Sequence, residues 1–280
     1  MICGFEQNLG EMEGPVLVFG GPYSNLPATR ALKDQAEMLA IPPQRVICTG
    51  DVVAYCAEPQ ETARMVYTWQ VPVVMGNCEQ ALADNAPDCG CGFGEESTCS
   101  RLSVEWYRYA DACISMETRN WMASLPGRIR FTLGGKSFLV VHGGIDRINR
   151  FLFFSNAKEI GDELSRAAAD VVLAGHCGIP FGRRFGRKSW LNAGAIGMPA
   201  NDGTADGWYM LLEPRGGQLQ ATWHRLGYAA RTSQRRMSEA GLKSGYAETL
   251  VSGIWPSQDI LPPEERSQKG TALSLAALQL

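Results

Sequence analysis

Four short apolar runs in this chain each end on a glycine and a polar side chain, and that repetition restricts the fold more than any other feature. Val46-Ile47-Cys48-Thr49 closes on Gly50-Asp51, Val71 to Met75 on Gly76-Asn77, Lys136 to Val141 on His142-Gly143, and Val171 to Ala174 on Gly175-His176. A short apolar run bounded by turn residues reads as a buried strand. In open α/β sheets, ligands bind beyond the carboxyl ends of the strands. Asp51, Asn77, His142 and His176 therefore stand where chemistry is expected.

The chain around these runs predicts crossovers first and hairpins later. Pro15 to Phe19 is an all-apolar strand, and Ala28 to Leu39 has helical spacing until Pro42-Pro43 stops it. Val46 to Asp51 follows, then a helix from Pro59 to about Trp69, then Val71 to Met75, which is the β-α-β-α-β order of a parallel sheet. Ala86 to Ser100, with Cys89, Cys91 and Cys99 among glycines and acidic residues, breaks the rhythm and predicts an irregular segment. Arg101 to Cys113 and Glu117 to Leu125 read as helices, so an insertion is expected over about 86–125. Arg128–Thr132 with Lys136–Val141, Phe181–Phe185 with Lys188–Asn192, and Trp208–Glu213 with Gln218–His224 read as hairpins. Ala157–Ala168 reads as a helix, and the hairpins are expected to form a sheet of their own. The main domain is placed at 15–226. Residues 227–280 form a helical extension whose last dozen residues are expected to be disordered.

Composition narrows the partners. Lys and Arg total 26 and Asp and Glu 29, so the net charge of −3 gives no signal for nucleic acid. No apolar run reaches the length of a membrane span, and Met1 to Gly14 lacks the basic start and apolar core of a secretory signal. A cytoplasmic protein is expected. Nine cysteines, an odd number, argue against a disulfide framework in a reducing compartment; they leave buried thiols or metal and redox chemistry.

One carboxylate, one amide oxygen and two imidazoles suit a divalent ion of the Mn, Fe or Zn type. The chain has three histidines, and two of them occupy these equivalent strand ends. With Gly21-Pro22-Tyr23-Ser24-Asn25, Gly50-Asp51, Gly76-Asn77-Cys78-Glu79, His142-Gly143 and Gly175-His176-Cys177-Gly178 in this order, the chain resembles the calcineurin-like metallophosphoesterase superfamily in its compact bacterial phosphodiesterase branch. Asn192 to Pro199 and Asp202-Gly203 fit the same branch. The resemblance implies an α/β fold, a four-layer α/β/β/α sandwich with two mixed sheets, and hydrolysis of a small phosphorylated substrate.

The resemblance also implies two metals, and here the chain departs from it. The second metal's ligands, Asp51, Asn77, His142 and His176, are all present. The first metal's positions hold Gly21, Tyr23 and Gly178 beside Asp51, and Cys78 stands where the family has a histidine. The expectation is one metal, with Cys78 and Tyr23 as candidate catalytic groups, Glu79 supporting its neighbours, and Arg147 and Arg150 as candidate phosphate contacts. Cys177, Cys56, Cys89 and Cys91 are candidate additional ligands, which keeps open a thiolate–metal or Fe–S centre on the same fold and a non-hydrolytic, redox-responsive role. Thiols that merely pack are the plain alternative. His224 and the hairpin charges Arg183, Arg184, Arg187 and Lys188 are expected to be ordinary surface and strand residues.

Overall fold

A computed structural model describes residues 5–92 and 97–280. The centre of the Cys- and Gly-rich segment, 93–96, and the first four residues lie outside that description. In chain order the elements are β1 (Glu6–Met12), β2 (Val16–Phe19), α1 (Leu26–Met38), β3 (Val46–Cys48), α2 (Pro59–Trp69), α3 (Asn77–Ala83), α4 (Thr98–Cys113), α5 (Met116–Ala123), β4 (Arg128–Leu133), β5 (Lys136–Val140), α6 (Ala157–Arg166), β6 (Val171–Ala174), β7 (Phe181–Phe185), β8 (Lys188–Asn192), β9 (Gly207–Arg215), β10 (Gln218–Leu226), α7 (Ala230–Glu239), α8 (Tyr246–Ser252), α9 (Pro263–Ser267) and β11 (Leu278–Gln279).

Two mixed sheets result, ordered β1-β4-β5-β6-β8-β7 and β11-β10-β9-β2-β3. The period-two alternation of a strand sorts their faces. Val16 and Val18 of β2 pack between the sheets with Ile129, Phe131, Val140 and Leu173. Leu17 and Phe19, pointing the other way, join Leu32, Ala63, Val66 and Met237 from the helices. On the far side, Leu139, Val172 and Trp190 meet Ile160 and Leu164 of α6. The layers are helix, sheet, sheet, helix, as the resemblance implied.

Three expectations need correction. Crossover strands and hairpins do not occupy separate sheets: the β9–β10 hairpin pairs antiparallel with β2, and the β4–β5 and β7–β8 hairpins flank the parallel strand β6. Val71 to Met75 is not a full strand. Only Val73 bridges Cys48, because Pro72 has no N–H to give and Met75 N turns to Pro126 O. The tail is ordered at its end: Leu278 and Gln279 pair with Ala221 and Gln220, so β10 is not an open edge there. At the other terminus, β1 pairs in parallel with β4, so both sheets draw on residues beyond 15–226.

Candidate metal centre

The site forms where the carboxyl ends of β3, β5 and β6 meet the first turn of α3. Asp51, Asn77, His142 and His176 are all nearly excluded from solvent, at 5, 2, 2 and 9 % exposure. Local backbone makes this possible. Asp51 and His176 sit at φ 56° and 62°, and Tyr23 and Ser24 at φ 52° and 57°. Left-handed non-glycine residues cost free energy that surrounding structure must offset, and they cluster at functional sites. Gly50 and Gly76 leave the necessary room: a Cβ on Gly50 would lie 2.8 Å from His142 Nδ1, and one on Gly76 would lie 2.5 Å from Asp51 N.

Four lone-pair atoms converge on one point. His142 Nε2 lies 3.2 Å from Asp51 Oδ2, 3.1 Å from Asn77 Oδ1 and 3.1 Å from His176 Nδ1, and His176 Nδ1 lies 3.9 Å from Asp51 Oδ2. His142 Nδ1 is 2.6 Å from the Thr49 carbonyl oxygen, so it donates its proton there and turns Nε2 to the cluster. Asn77 Nδ2 donates to Cys89 O at 2.8 Å, which aims Oδ1 inward. One proton on Nε2 can satisfy one of the three facing acceptors; a dication satisfies all four donors. Tetrahedral ligands at metal–donor lengths near 2.1 Å stand about 3.4 Å apart, close to the spacings seen. The four residues fit a divalent ion. Among the described residues, Asp51, His142 and His176 form the group of acidic, imidazole and thiol donors within 4.8 Å of one another, and no thiol joins it.

Charge states favour ligation. Burial would raise the Asp51 carboxyl, but the charge and hydrogen bond of His142, then His176 and the Cys78 N–H, hold it below the usual range. Burial and then the His142 ring push His176 down to about 3, so it is a neutral imidazole. His142 moves the other way: burial lowers it, and Asp51's charge and hydrogen bond raise it further. Glu79 is fully buried and braces the site. Its Oε2 accepts from Asp51 N at 2.8 Å and Gly76 N at 3.0 Å, and its Oε1 accepts from Val53 N at 3.2 Å. Burial, then the Asp51 charge, raises its carboxyl well above the usual range.

The first-metal position of the resemblance does not fit an ion. A Cβ on Gly21 would lie 2.5 Å from Cε2 and Cζ of Tyr23, so the Tyr23 ring fills the space where a side chain at 21 would reach. A Cβ on Gly178 would stand 3.8 Å from the Tyr23 hydroxyl. That ring, packed edge-on against Tyr55 at 4.9 Å, replaces ligands with hydrocarbon and one phenol.

The cysteines divide. Asn77 Nδ2 approaches Cys78 Sγ at 3.5 Å and Cys91 Sγ at 3.3 Å and donates to Cys89 O, and Cys91 Sγ faces Cys89 O at 3.8 Å, so these three cysteines gather around Asn77. Cys56 and Cys177 do not join them: Cys56 Sγ faces Gly197 O at 3.9 Å, and Cys177 Sγ faces Ile179 O at 3.5 Å and Asn192 Nδ2 at 3.1 Å. Burial pushes the Cys177 thiol up to about 12. For Cys78, the Cys91 hydrogen bond lowers the pKa, but burial and Asp51 outweigh it and the thiol stays protonated. Of the two arginines, Arg147 is exposed and borders a polar hollow that Asn77 and Asn149 also line. Arg150 is committed to Glu163, which is 1 % exposed and also accepts from Ile145 N at 2.6 Å and from Arg166 at 2.7 Å. Glu163 thus anchors the loop after His142, a role that its place in an amphipathic helix does not announce. Phe151, 4.1 Å from the His176 ring, was equally invisible in the sequence. His224 of β10 stacks on Tyr209 of β9, its cross-strand partner.

Residues 24–216, more than half of the chain, match the calcineurin-like phosphoesterase superfamily domain. The chain belongs to that superfamily. Calcineurin-like phosphoesterases are metal-dependent, in accord with the four converging donors. The uncharacterized protein MJ0912 of Methanocaldococcus jannaschii is 22 % identical over 256 residues, covering 85 % of this chain and 98 % of that one. Two solved structures share the phosphoesterase fold. A metallophosphoesterase from Sphaerobacter thermophilus superposes with a TM-score of 0.66 at 21 % identity, covering 87 % of this chain and all of that one. The hypothetical protein PH1004 from Pyrococcus horikoshii OT3 gives a TM-score of 0.72 at 16 % identity, covering 85 % and 98 %. No helix among the described residues is long and apolar enough to cross a membrane.

Proposed function

We propose that this chain hydrolyses small phosphoric esters in the cytoplasm at a single divalent-metal centre of Mn, Fe or Zn held by Asp51, Asn77, His142 and His176. The convergence of three lone-pair atoms on a fourth, His142 Nε2, with spacings of 3.1 to 3.2 Å, carries the reading. An ion held there would polarise a phosphoryl oxygen and acidify a water. The Thr49 carbonyl fixes the His142 tautomer, and Glu79 fixes the backbone of Asp51. Tyr23, whose phenol burial and then Asp51 keep protonated, donates a hydrogen bond to a phosphoryl oxygen. A water that has given a proton to solvent bonds through its oxygen to phosphorus as the ester P–O bond breaks. The alcohol leaves with a proton from Cys78, a weak acid in this setting, or from solvent, and Arg147 adds positive charge at the rim. The test is turnover of bis(4-nitrophenyl) phosphate with Mn²⁺, Fe²⁺ and Zn²⁺, against Asp51→Ala. Equal rates in the variant, or none with any metal, would refute it.

A second reading rests on Cys78, Cys89 and Cys91 lying together beside Asn77: a thiolate–metal or Fe–S protein that responds to redox state rather than hydrolysing esters. Protein purified without oxygen separates the two. Iron with acid-labile sulfide favours the second, and one Mn or Zn per chain the first.

A further inference from the structure

Tyr23 and Gly178, two of the positions where the resemblance implies first-metal ligands, line a pocket. Its walls include Tyr23, His176, Met198, Tyr246 and Trp255, and it encloses about 50 Å³. His176 belongs both to this pocket and to the metal ligands, so the two are continuous. No lysine, arginine, aspartate or glutamate lines it. Tyr23 and Tyr246 are 5 and 8 % exposed, and among the described lining residues the buried side-chain atom without a hydrogen-bond partner is His176 Nε2. Tyr55 holds both rings, with centroids 4.9 Å from Tyr23 and 4.5 Å from Tyr246. Trp255 is clamped by its Nε1 donating to Pro199 O at 2.6 Å and its backbone N donating to Asn201 Oδ1 at 2.9 Å.

Buried polar groups are normally paired, so an unpartnered His176 Nε2 beside two phenols on one apolar pocket points to a ligand with a polar group that pairs it. We propose that this pocket binds the second ester group of a phosphodiester, and that the group is short, uncharged and hydroxyl-bearing. The assignment rests on the phosphoesterase reading above. The lining selects the diester: it offers no cationic side chain to a second phosphate charge, and a monoester has no second ester group to place there. Volume selects a short group, because the pocket is about a third of the ~150 Å³ that accommodates a benzene ring. The Tyr246 phenol and His176 Nε2 select a hydroxyl over an alkyl end, since a site built to hydrogen-bond a group discriminates against analogues that lack it.

The test uses Mn²⁺-loaded protein and 4-nitrophenyl phosphodiesters whose second ester is 3-hydroxypropyl, methyl or phenyl, with 4-nitrophenyl phosphate as the dianion. The expected order of kcat/KM is 3-hydroxypropyl, methyl, phenyl, with the first exceeding the last by about tenfold or more. Tyr246→Phe erases the hydroxypropyl advantage over methyl, and Trp255→Ala raises the phenyl ester toward methyl. Calorimetric binding of 3-hydroxypropyl methylphosphonate gives a readout without turnover, and Tyr246→Phe should weaken it about tenfold. Equal rates for all three diesters, or phosphonate binding unchanged in both variants, overturns the assignment. Absent hydrolysis with phosphonate binding still weakened by Tyr246→Phe leaves the pocket standing and removes the phosphoesterase reading.

Discussion

Replacing Glu79 probes the centre through its brace rather than its ligands. The fully buried carboxylate takes three backbone N–H groups, from Asp51, Gly76 and Val53. A buried donor left without its partner costs about 1–3 kcal/mol. Glu79→Gln keeps one oxygen, enough for the two N–H groups now on Oε2. Its amide NH₂ would then face Val53 N, a lost bond worth about 1–3 kcal/mol. Glu79→Ala orphans all three N–H groups and opens a void, so a loss of about 3–6 kcal/mol is expected. The raised carboxyl adds a pH signature. A carboxyl raised on folding contributes stability that is complete below its unfolded pKa and lost as pH rises through its folded pKa, so metal-free wild type should weaken relative to Glu79→Gln over that window. Urea unfolding of metal-free protein, repeated across pH, measures both effects. A Glu79→Ala variant within about 1 kcal/mol of wild type would show that these three hydrogen bonds do not hold Asp51 in its left-handed conformation.

Other expectations follow from the same geometry. At about pH 6, below the ordinary imidazole value, His142 is protonated in the metal-free protein while Asp51 and His176 are not, so binding one Zn²⁺ should release about one proton; calorimetry in buffers of different ionisation enthalpy that found no release would contradict the ligand set. Affinity for the ion should accordingly fall as pH drops. Gly21→Ala should cost about 1–3 kcal/mol, because its Cβ meets the Tyr23 ring at 2.5 Å and the position has φ 47°, and a Tyr23→Ala background should recover a large part of that cost. Additivity of the two changes in a double-mutant cycle would show that the ring does not occupy this space. Glu163→Ala breaks a buried ion pair and should cost about 3–5 kcal/mol in chemical unfolding, with weaker metal binding because the loop after His142 loses its anchor; an unchanged midpoint would refute the anchoring role.

The four converging donors were readable in the sequence because each is marked locally. A buried strand needs an apolar run, its exit needs a turn, and a side chain crowded against its neighbours' backbone needs glycine beside it, as at Gly50-Asp51 and Gly76-Asn77. Helices α1, α2 and α4 to α8 were equally visible, since their period and flanking residues are properties of a short window.

Sheet membership is a different matter. Alternation says which face of β9 is apolar but not that its neighbour is β2, nearly two hundred residues earlier; only the burial of both faces in one assembly decides that. The same holds for β1 and β11, two polar-looking termini that earn their place by pairing. Sequence showed that Gly21, Tyr23 and Gly178 could not serve as ordinary ligands. It could not show that the Tyr23 ring fills the vacated volume, that two phenols are left facing a pocket, or that Cys78, Cys89 and Cys91 gather while Cys56 and Cys177 turn to backbone carbonyls. Spacing along a chain sets which residues can act. The direction in which a loop side chain points depends on packing between distant segments, and only the tertiary structure contains it.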